Sequence, residues 1–336
     1  MLNTAHITAT LGNLQYQSHI FAAQIFRALL PATNTARLLF PSVVNIEASP
    51  GDTASIELQY NENTANVISG EVRSVERRPR HTIVILSDGS FALNRYRPGS
   101  TFEQQNAKNV AQALASDVGL SVGNVSVDLS LPQYAAHQKR TAAEHIAKLA
   151  ELSDGFAYID GDGKLQISTW SEGPADAAIR YGRDLIDYSF TKQQNRSAVS
   201  PIGNGPSGSA DAPDAMRYGT GSLPESVADP GADNIWSAQH MLRTPSAVQT
   251  AQTGMNRVRS QRNGQALLTT LMRPDFFPGM KLEIQDVPQT DERWIITHIT
   301  HEIAQHSHAK TYLRARQDAT GDSLLGAALG AIGGLL

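Results

Sequence analysis

Alternation of apolar and polar side chains recurs through this chain and constrains its fold more than any other feature. From Thr53 to Tyr60, Ala54, Ile56, Leu58 and Tyr60 alternate with Ser55, Glu57 and Gln59. A period of two gives a strand one buried face and one polar face. Ile7–Leu11, Val67–Val75 and Thr82–Leu86 read as further strands, with Asn61-Glu62-Asn63 and Asp88-Gly89 supplying turns between runs. One segment departs from the pattern. Phe21, Ala22, Ile25, Phe26, Leu29 and Leu30 recur at helical spacing and stop at Pro31, which predicts a helix there. Residues 1–95 are therefore expected to form a small β-barrel or sandwich with one helix attached.

The texture changes over residues 96–180. Phe102, Val110, Leu114 and Val118 predict an amphipathic helix over 101–118, with Gly119 just past its end. A second helix is expected from about Thr141 to Leu152, where Thr141 and Glu144 have capping-box spacing. Gly155–Ile159 and Leu165–Thr169 read as a hairpin around Asp160-Gly161-Asp162-Gly163. This is the pattern of a separate α+β unit. Residues 181–320 return to β, with strands near Tyr181–Thr191, Gln265–Leu271, Gly279–Ile284, Trp294–Ile303 and Lys310–Arg316, and a helix over about Ser246–Ser260. A Gly/Pro-rich loop at about 196–245 interrupts them. Eleven of the 32 residues from Pro201 to Ala232 are Gly or Pro, so this stretch is expected to be long, polar and mobile.

Composition excludes several classes of function. Lys plus Arg number 28 and Asp plus Glu 32, a net charge of −4 that offers no general attraction to nucleic acid or anionic lipid. With no cysteine, disulfides, thiolate nucleophiles and Cys-type zinc sites are ruled out. The N-terminus lacks the basic-then-apolar pattern of a Sec leader, and no apolar run approaches the roughly 20 residues of a membrane span. Charged residues make up 18% of the chain, below the roughly 25% of a typical soluble domain, which leaves room for surface buried in an assembly.

The candidate chemical motifs are weak. His298, His301, His306 and His308 cluster beside Glu302, but His306 falls one residue too late for a helical H-E-x-x-H zinc motif. The segment also reads as a strand, with Ile295, Thr297, Ile299, His301 and Ile303 on one face and Trp294, His298, Thr300 and Glu302 on the other. No metal is expected there. Asp160-Gly-Asp-Gly163 lacks the later oxygen ligands of a calcium loop and reads as a turn. Gly205-Pro-Ser207-Gly-Ser209 lacks the last glycine of a nucleophile elbow. Arg73, Arg77, Arg78, Arg80 and His81, mixed with Glu71 and Glu76, read as a solvated hairpin end or a polar contact with a neighbouring subunit. No catalytic, cofactor-binding or metal-binding residue is singled out.

The last thirteen residues, Leu324–Leu336, contain only Leu, Ala, Ile and Gly. As a helix they would be at most about 20 Å long, too short for a bilayer core. An apolar tail (321–336) of this kind is expected to pack on its own domain or dock into a partner. Leu324, Leu325, Leu329, Ile332, Leu335 and Leu336 are the partner-interface candidates.

In order and spacing the chain resembles the phage late control protein D family, the baseplate hub proteins of contractile tails and related injection systems. The resemblance runs through Gly51-Asp-Thr53, Ile68-Ser-Gly70-Glu-Val72 and Asp88-Gly-Ser-Phe-Ala-Leu93-Asn-Arg95. It continues through Val110-Ala-Gln-Ala-Leu-Ala115, Asp117-Val-Gly-Leu120 and Ala143-Glu-His-Ile-Ala-Lys-Leu-Ala-Glu-Leu152. Beyond these come Gly155-Phe-Ala-Tyr158, Gly163-Lys-Leu-Gln-Ile167, Phe277-Pro-Gly-Met-Lys-Leu-Glu-Ile284 and Trp294-Ile-Ile-Thr-His-Ile-Thr-His-Glu302. Nearly all of residues 1–320 is covered, although the 196–245 loop and the apolar tail depart from the family pattern.

The resemblance implies a mainly β chain with two tube-type β-barrel domains, at 1–95 and 181–320, and a small α+β domain at 96–180. It implies a non-enzymatic homotrimer without cofactors that joins a three-fold spike to a six-fold inner tail tube. The implied partners are a separate spike polypeptide, an inner-tube or tube-initiator protein and baseplate wedge components, with no specific nucleic-acid binding. The implied location is the tail baseplate of a virion, or an assembled injection particle, after synthesis in the host cytoplasm. The alternatives are a hydrolase acting on cell-envelope polymers and a carbohydrate-binding tail appendage. For the latter, aromatic residues are scarce at 6%.

Overall fold

The computed structural model describes residues 5–17, 19–193, 198–203, 219–220, 234–288, 293–304 and 308–318. The loop stretches 204–218 and 221–233, His306 and the apolar tail lie outside them.

The first unit contains β1 (Ala5–Leu11), β2 (Leu14–Tyr16), β3 (Ala22–Ala28), β4 (Thr35–Pro41), β5 (Thr53–Tyr60), β6 (Asn63–Arg77) and β7 (His81–Ser87). All their pairings are antiparallel, in the order β3-β4-β7-β6-β5-β1-β2. In β5 the alternation read from sequence holds: Ala54, Ile56, Leu58 and Tyr60 are buried. They share a core with Ile7, Leu11, Ile25, Leu38, Phe40 and Leu86.

The expected helix over 21–30 is instead β3. Ala23 and Ile25 face the core while Phe26 lies on the other face, and Phe21 just ahead of β3 is half exposed. The two flanking strands explain the outcome. β4 and, from the far end of the chain, β20 (Arg293–Ala304) saturate both edges of β3 with ladder hydrogen bonds. Long-range pairing therefore overrides a local 3.6-residue pattern.

The α+β unit contains α1 (Gly89–Arg95), β8 (Ser100–Asn106), α2 (Ala107–Ser116), β9 (Val122–Val125), β10 (Ser130–Ala136), α3 (Ala142–Leu152), β11 (Gly155–Ile159) and β12 (Leu165–Thr169). Two expectations are corrected here. Asp88-Gly89 does not make a simple turn, because the Asp88 side chain accepts from Ser90 N and caps α1. Residues 100–106 are a strand paired with β10, and the helix starts only after Asn106, whose side chain accepts from Asn109 N. The Thr141–Glu144 capping box forms as the spacing predicts. The Asp160–Gly163 turn forms too, and Gly161 meets the first unit so closely that a Cβ would stand 1.8 Å from the Asn66 carbonyl oxygen.

The remaining strands are β13 (Ala177–Arg180), β14 (Leu185–Lys192), β15 (Ala198–Gly203), β16 (Gly219–Thr220), β17 (Asn234–Gln239), β18 (Gly264–Leu271), β19 (Lys281–Gln285) and β21 (His308–Gln317). β15, β16 and β17 form a small separate sheet. The others wrap a third core around Leu268, Phe276, Trp294, Ile296, Ile299 and Leu313. The helix α4 (Pro245–Gln261) does not join that core. Its Ala247, Val248 and Ala251 pack with α3 and Leu242 inside the α+β core.

β3 and β20 pair directly, so both β units belong to one 13-stranded sheet with the path β14-β18-β21-β20-β3-β4-β7-β6-β5-β1-β2. The chain is mainly β, as expected. Within β20 the facing differs from the alternation read in sequence. The register against β21 shifts between Ile296 and His298, so Thr297 is an extra residue in a bulge. Trp294 and Ile296 consequently face the same core as Ile299.

Candidate functional site: the junction of the three units

The three units meet where β3 leaves the sheet. Leu29 N donates to the carbonyl of the bulged Thr297 at 3.1 Å, and Leu30 N to the Ala157 carbonyl on β11 at 2.8 Å. The Leu30 side chain is buried in the α+β core. Two backbone bonds and one side chain thus pin the β3–β4 connection to both other units.

A crevice of about 740 Å³ opens at this junction. Its walls come from the β3–β4 connection, α3 with the residue before it, β11, the C-terminal end of α4, and β20–β21. Its polar groups are mainly donors. Arg140 stands before α3, Arg262 caps α4 and Arg316 projects from β21. The acids at its rim are already engaged. Glu151 pairs with Lys148 at 3.3 Å, and Glu144 accepts from Thr141 N at 2.7 Å in the capping box, which holds its carboxyl below the usual range. His298 bonds Thr297 Oγ1 through Nδ1 at 2.9 Å, and burial followed by Arg314 and Arg316 lowers its pKa. Burial first, then Arg262 and Arg314, pulls the Arg316 guanidinium below its ordinary value.

A second polar cluster is closed to solvent. Asn34 donates to Asp88 at 2.6 Å, Asp88 caps α1 through Ser90, and Asn34 accepts from Ala28 N at 2.8 Å. Burial raises the Asp88 pKa against these bonds. Nearby, Arg27 is buried, donates to the Phe276 carbonyl at 3.1 Å, and has its pKa lowered by burial. This cluster braces the seam of the sheet and presents no open face. A third pair, Tyr134 Oη and His145 Nδ1 at 2.6 Å, braces β10 against α3, with His145 Nε2 on the His137 carbonyl at 3.1 Å.

Among the described residues, His298 and His301 do not converge. His301 is fully buried and bonds Thr311 Oγ1 at 2.9 Å, whereas His298 faces the opposite side of β20. Among the described residues no group of three His, Cys, Asp or Glu side chains could hold a metal ion. Arg77, Arg78, Arg80 and His81 lie at the β6–β7 hairpin end, where Arg78 pairs with Glu76 and Arg77 donates to the Ile46 carbonyl, whereas Arg73 lies at the other end of the ladder, pairing with Glu71 and donating to Ser87 Oγ at 2.7 Å. Leu324, Leu325, Leu329, Ile332, Leu335 and Leu336 lie outside the described residues. Sequence reading missed the crevice because Arg140, Arg262 and Arg316 sit in three separate segments with no shared motif.

The open ends of the large sheet are the other notable surface. β14 ends one side of the path and β2 the other. Ile186 on β14, Leu267 on the adjacent β18 and Tyr181 just before them are exposed. Among the described residues no helix is long and apolar enough to cross a membrane.

No family model matches the sequence, and no curated protein matches it. Solved structures do. A tail protein from Neisseria meningitidis is 12% identical with a TM-score of 0.71, over 94% of this chain and 97% of that one. A prophage MuSo2 tail protein from Shewanella oneidensis is 14% identical with a TM-score of 0.67, over 93% and 98%. An E. coli type VI secretion system component, described as structurally similar to T4 tail proteins gp27 and gp5, is 9% identical with a TM-score of 0.58, over 91% and 76%. At these identities the likeness is one of fold, and it runs nearly end to end: the chain has the fold of these phage and prophage tail proteins.

Proposed function

We propose that the chain is a structural, non-enzymatic baseplate hub that trimerises and joins a three-fold spike to the six-fold inner tube of a contractile tail or injection machine. The observation that carries this reading is the near full-length fold likeness to tail proteins, which spans both β units and the α+β unit between them. The sheet supports it. The two β units share one 13-stranded sheet through the β3–β20 ladder, a continuous body suited to bearing load across a symmetry mismatch. Among the described residues its two ends, β14 and β2, have no further strand partner, so neighbouring subunits can cover their ladder groups. In this reading the spike is a separate polypeptide, the tube or its initiator contacts the β units, and wedge components surround the hub. The protein resides in the tail baseplate.

Native mass spectrometry of the full chain tests the reading. A species of three chains is expected. A stable monomer, both alone and with spike and tube proteins present, would refute it.

A further inference from the structure

We propose that the crevice at the junction of the three units is a recognition site for an acidic, partly apolar peptide segment of another protein. Three features of its walls lead to this. First, it gathers positive charge without using it. The guanidinium groups of Arg262 and Arg316 have no ion pair or hydrogen bond among the described residues, and Arg316 is itself partly buried and repelled by Arg262. Cations held this close in a recess repel one another and gain from an anion placed between them.

Second, two buried donors on the same walls lack acceptors. Trp170 is 9% exposed and Gln261 2% exposed, and among the described residues neither Trp170 Nε1 nor Gln261 Nε2 has a hydrogen-bond partner. A buried polar group without a partner is costly, and because both atoms are closed to solvent, an acceptor reaches them only when the crevice walls shift around a ligand. Trp170 is fixed by stacking on Phe156 at 4.2 Å, and Gln261 by its place in the last turn of α4.

Third, the rest of the lining selects among anions. Leu29, Pro31, Phe156 and Val258 present apolar surface that offers nothing to a phosphate chain. Glu144 and Glu151 at the same opening repel a polyanion. A single carboxylate flanked by apolar side chains satisfies both the guanidinium groups and the apolar wall. The volume lies within the roughly 300–1,000 Å³ of ligand-sized pockets, enough for a short peptide stretch. The inference does not depend on the hub reading, since every wall belongs to one chain.

The test pans a random peptide display library on the full-length protein. A synthetic copy of the leading peptide is then measured on wild type, on the Arg262→Gln/Arg316→Gln double variant and on Trp170→Phe. Unchanged melting curves establish that the variants fold. Should the double variant not fold, each single Arg→Gln variant replaces it. The expected result is enrichment of peptides with Asp or Glu beside apolar residues. Affinity should fall about tenfold or more on the double variant, or when the peptide's Glu becomes Gln, as expected for loss of a charge-assisted bond. The proposal is overturned if no peptide is enriched, if the enriched peptides carry no acid bias, or if the arginine variants bind equally well. It is also overturned if a single-stranded oligonucleotide displaces the peptide and binds more tightly, which would assign the crevice to nucleic acid.

Discussion

Arg27 and His301 place two titratable side chains inside the seam between β3 and β20, where neither would be expected from a hydrophobic pattern. Among the described residues His301 Nε2 has no partner in either tautomer, while Nδ1 is occupied by Thr311. Burial, reinforced by the Arg27 guanidinium, lowers its pKa to about 3, against a free value of 6.5. Below pH 6.5 the unfolded chain therefore takes up a proton that the folded chain refuses. Stability is fully present above that pH and falls as pH drops towards 3, by about 1.4 kcal/mol per unit. Between pH 7 and pH 5 the wild type should lose about 2 kcal/mol more than a His301→Gln variant, measured by urea midpoints at both values. Parallel losses would show that His301 is not held neutral. The residues of this brace were visible as letters in the sequence but not as partners. The sequence already argued against a metal at His301, but its bond to Thr311 and its proximity to Arg27 appeared only in the fold.

At the scale of elements, α3 and α4 illustrate how a close approach can matter more than propensity. A Cβ on Gly254 would stand 2.1 Å from the Glu151 carbonyl oxygen and 2.9 Å from the Asp154 backbone. Arg257, one turn on, grips Asp154 with bonds of 2.7 and 3.0 Å. Gly254→Ala should raise intrinsic helicity, since Ala is favoured over Gly by about 1 kcal/mol. The overpacking should nevertheless destabilise the protein by about 1–3 kcal/mol. A melting curve decides the sign, and an unchanged or higher Tm would mean that the helices separate freely. The strands with clean alternation, such as β5, and the capping box of α3 were legible in advance because their signals are local. β3, β8 and α1 were misread because their states depend on a partner strand or on a cap. The bulge at Thr297 left no local mark at all. It exists because β20 must feed the third core with Trp294 and Ile296 and still reach β3 in register.

At the scale of the molecule, the three cores are linked by the β3–β20 ladder, the Leu29–Leu30 backbone bonds, the Arg27 bond to the Phe276 carbonyl at 3.1 Å and the Ser69 hydroxyl donating to the Gly161 carbonyl at 2.8 Å. We propose that the apolar segment Leu324–Leu336 adds an intermolecular link to these. Four glycines weaken it as a helix, so burial against a partner would have to supply its stability, at about 1.5–3 kcal/mol per fully buried Leu. Deleting residues 324–336 should leave the melting curve of the chain unchanged and weaken co-purification with spike or tube proteins. Normal co-purification would refute docking, and loss of folding would place the tail on its own domain.

The sequence alone determined the mainly β class, the helical interruption in its middle and the absence of thiol chemistry, since periodicity, capping spacing and residue content act within a few positions of one another. Tertiary structure alone decided that the first and last β units share one sheet, that α4 serves the middle core, and that arginines from three segments face one crevice. These features rest on contacts between residues far apart in the chain. No periodicity encodes which distant strand will complete an edge, or which separate walls will close around a recess.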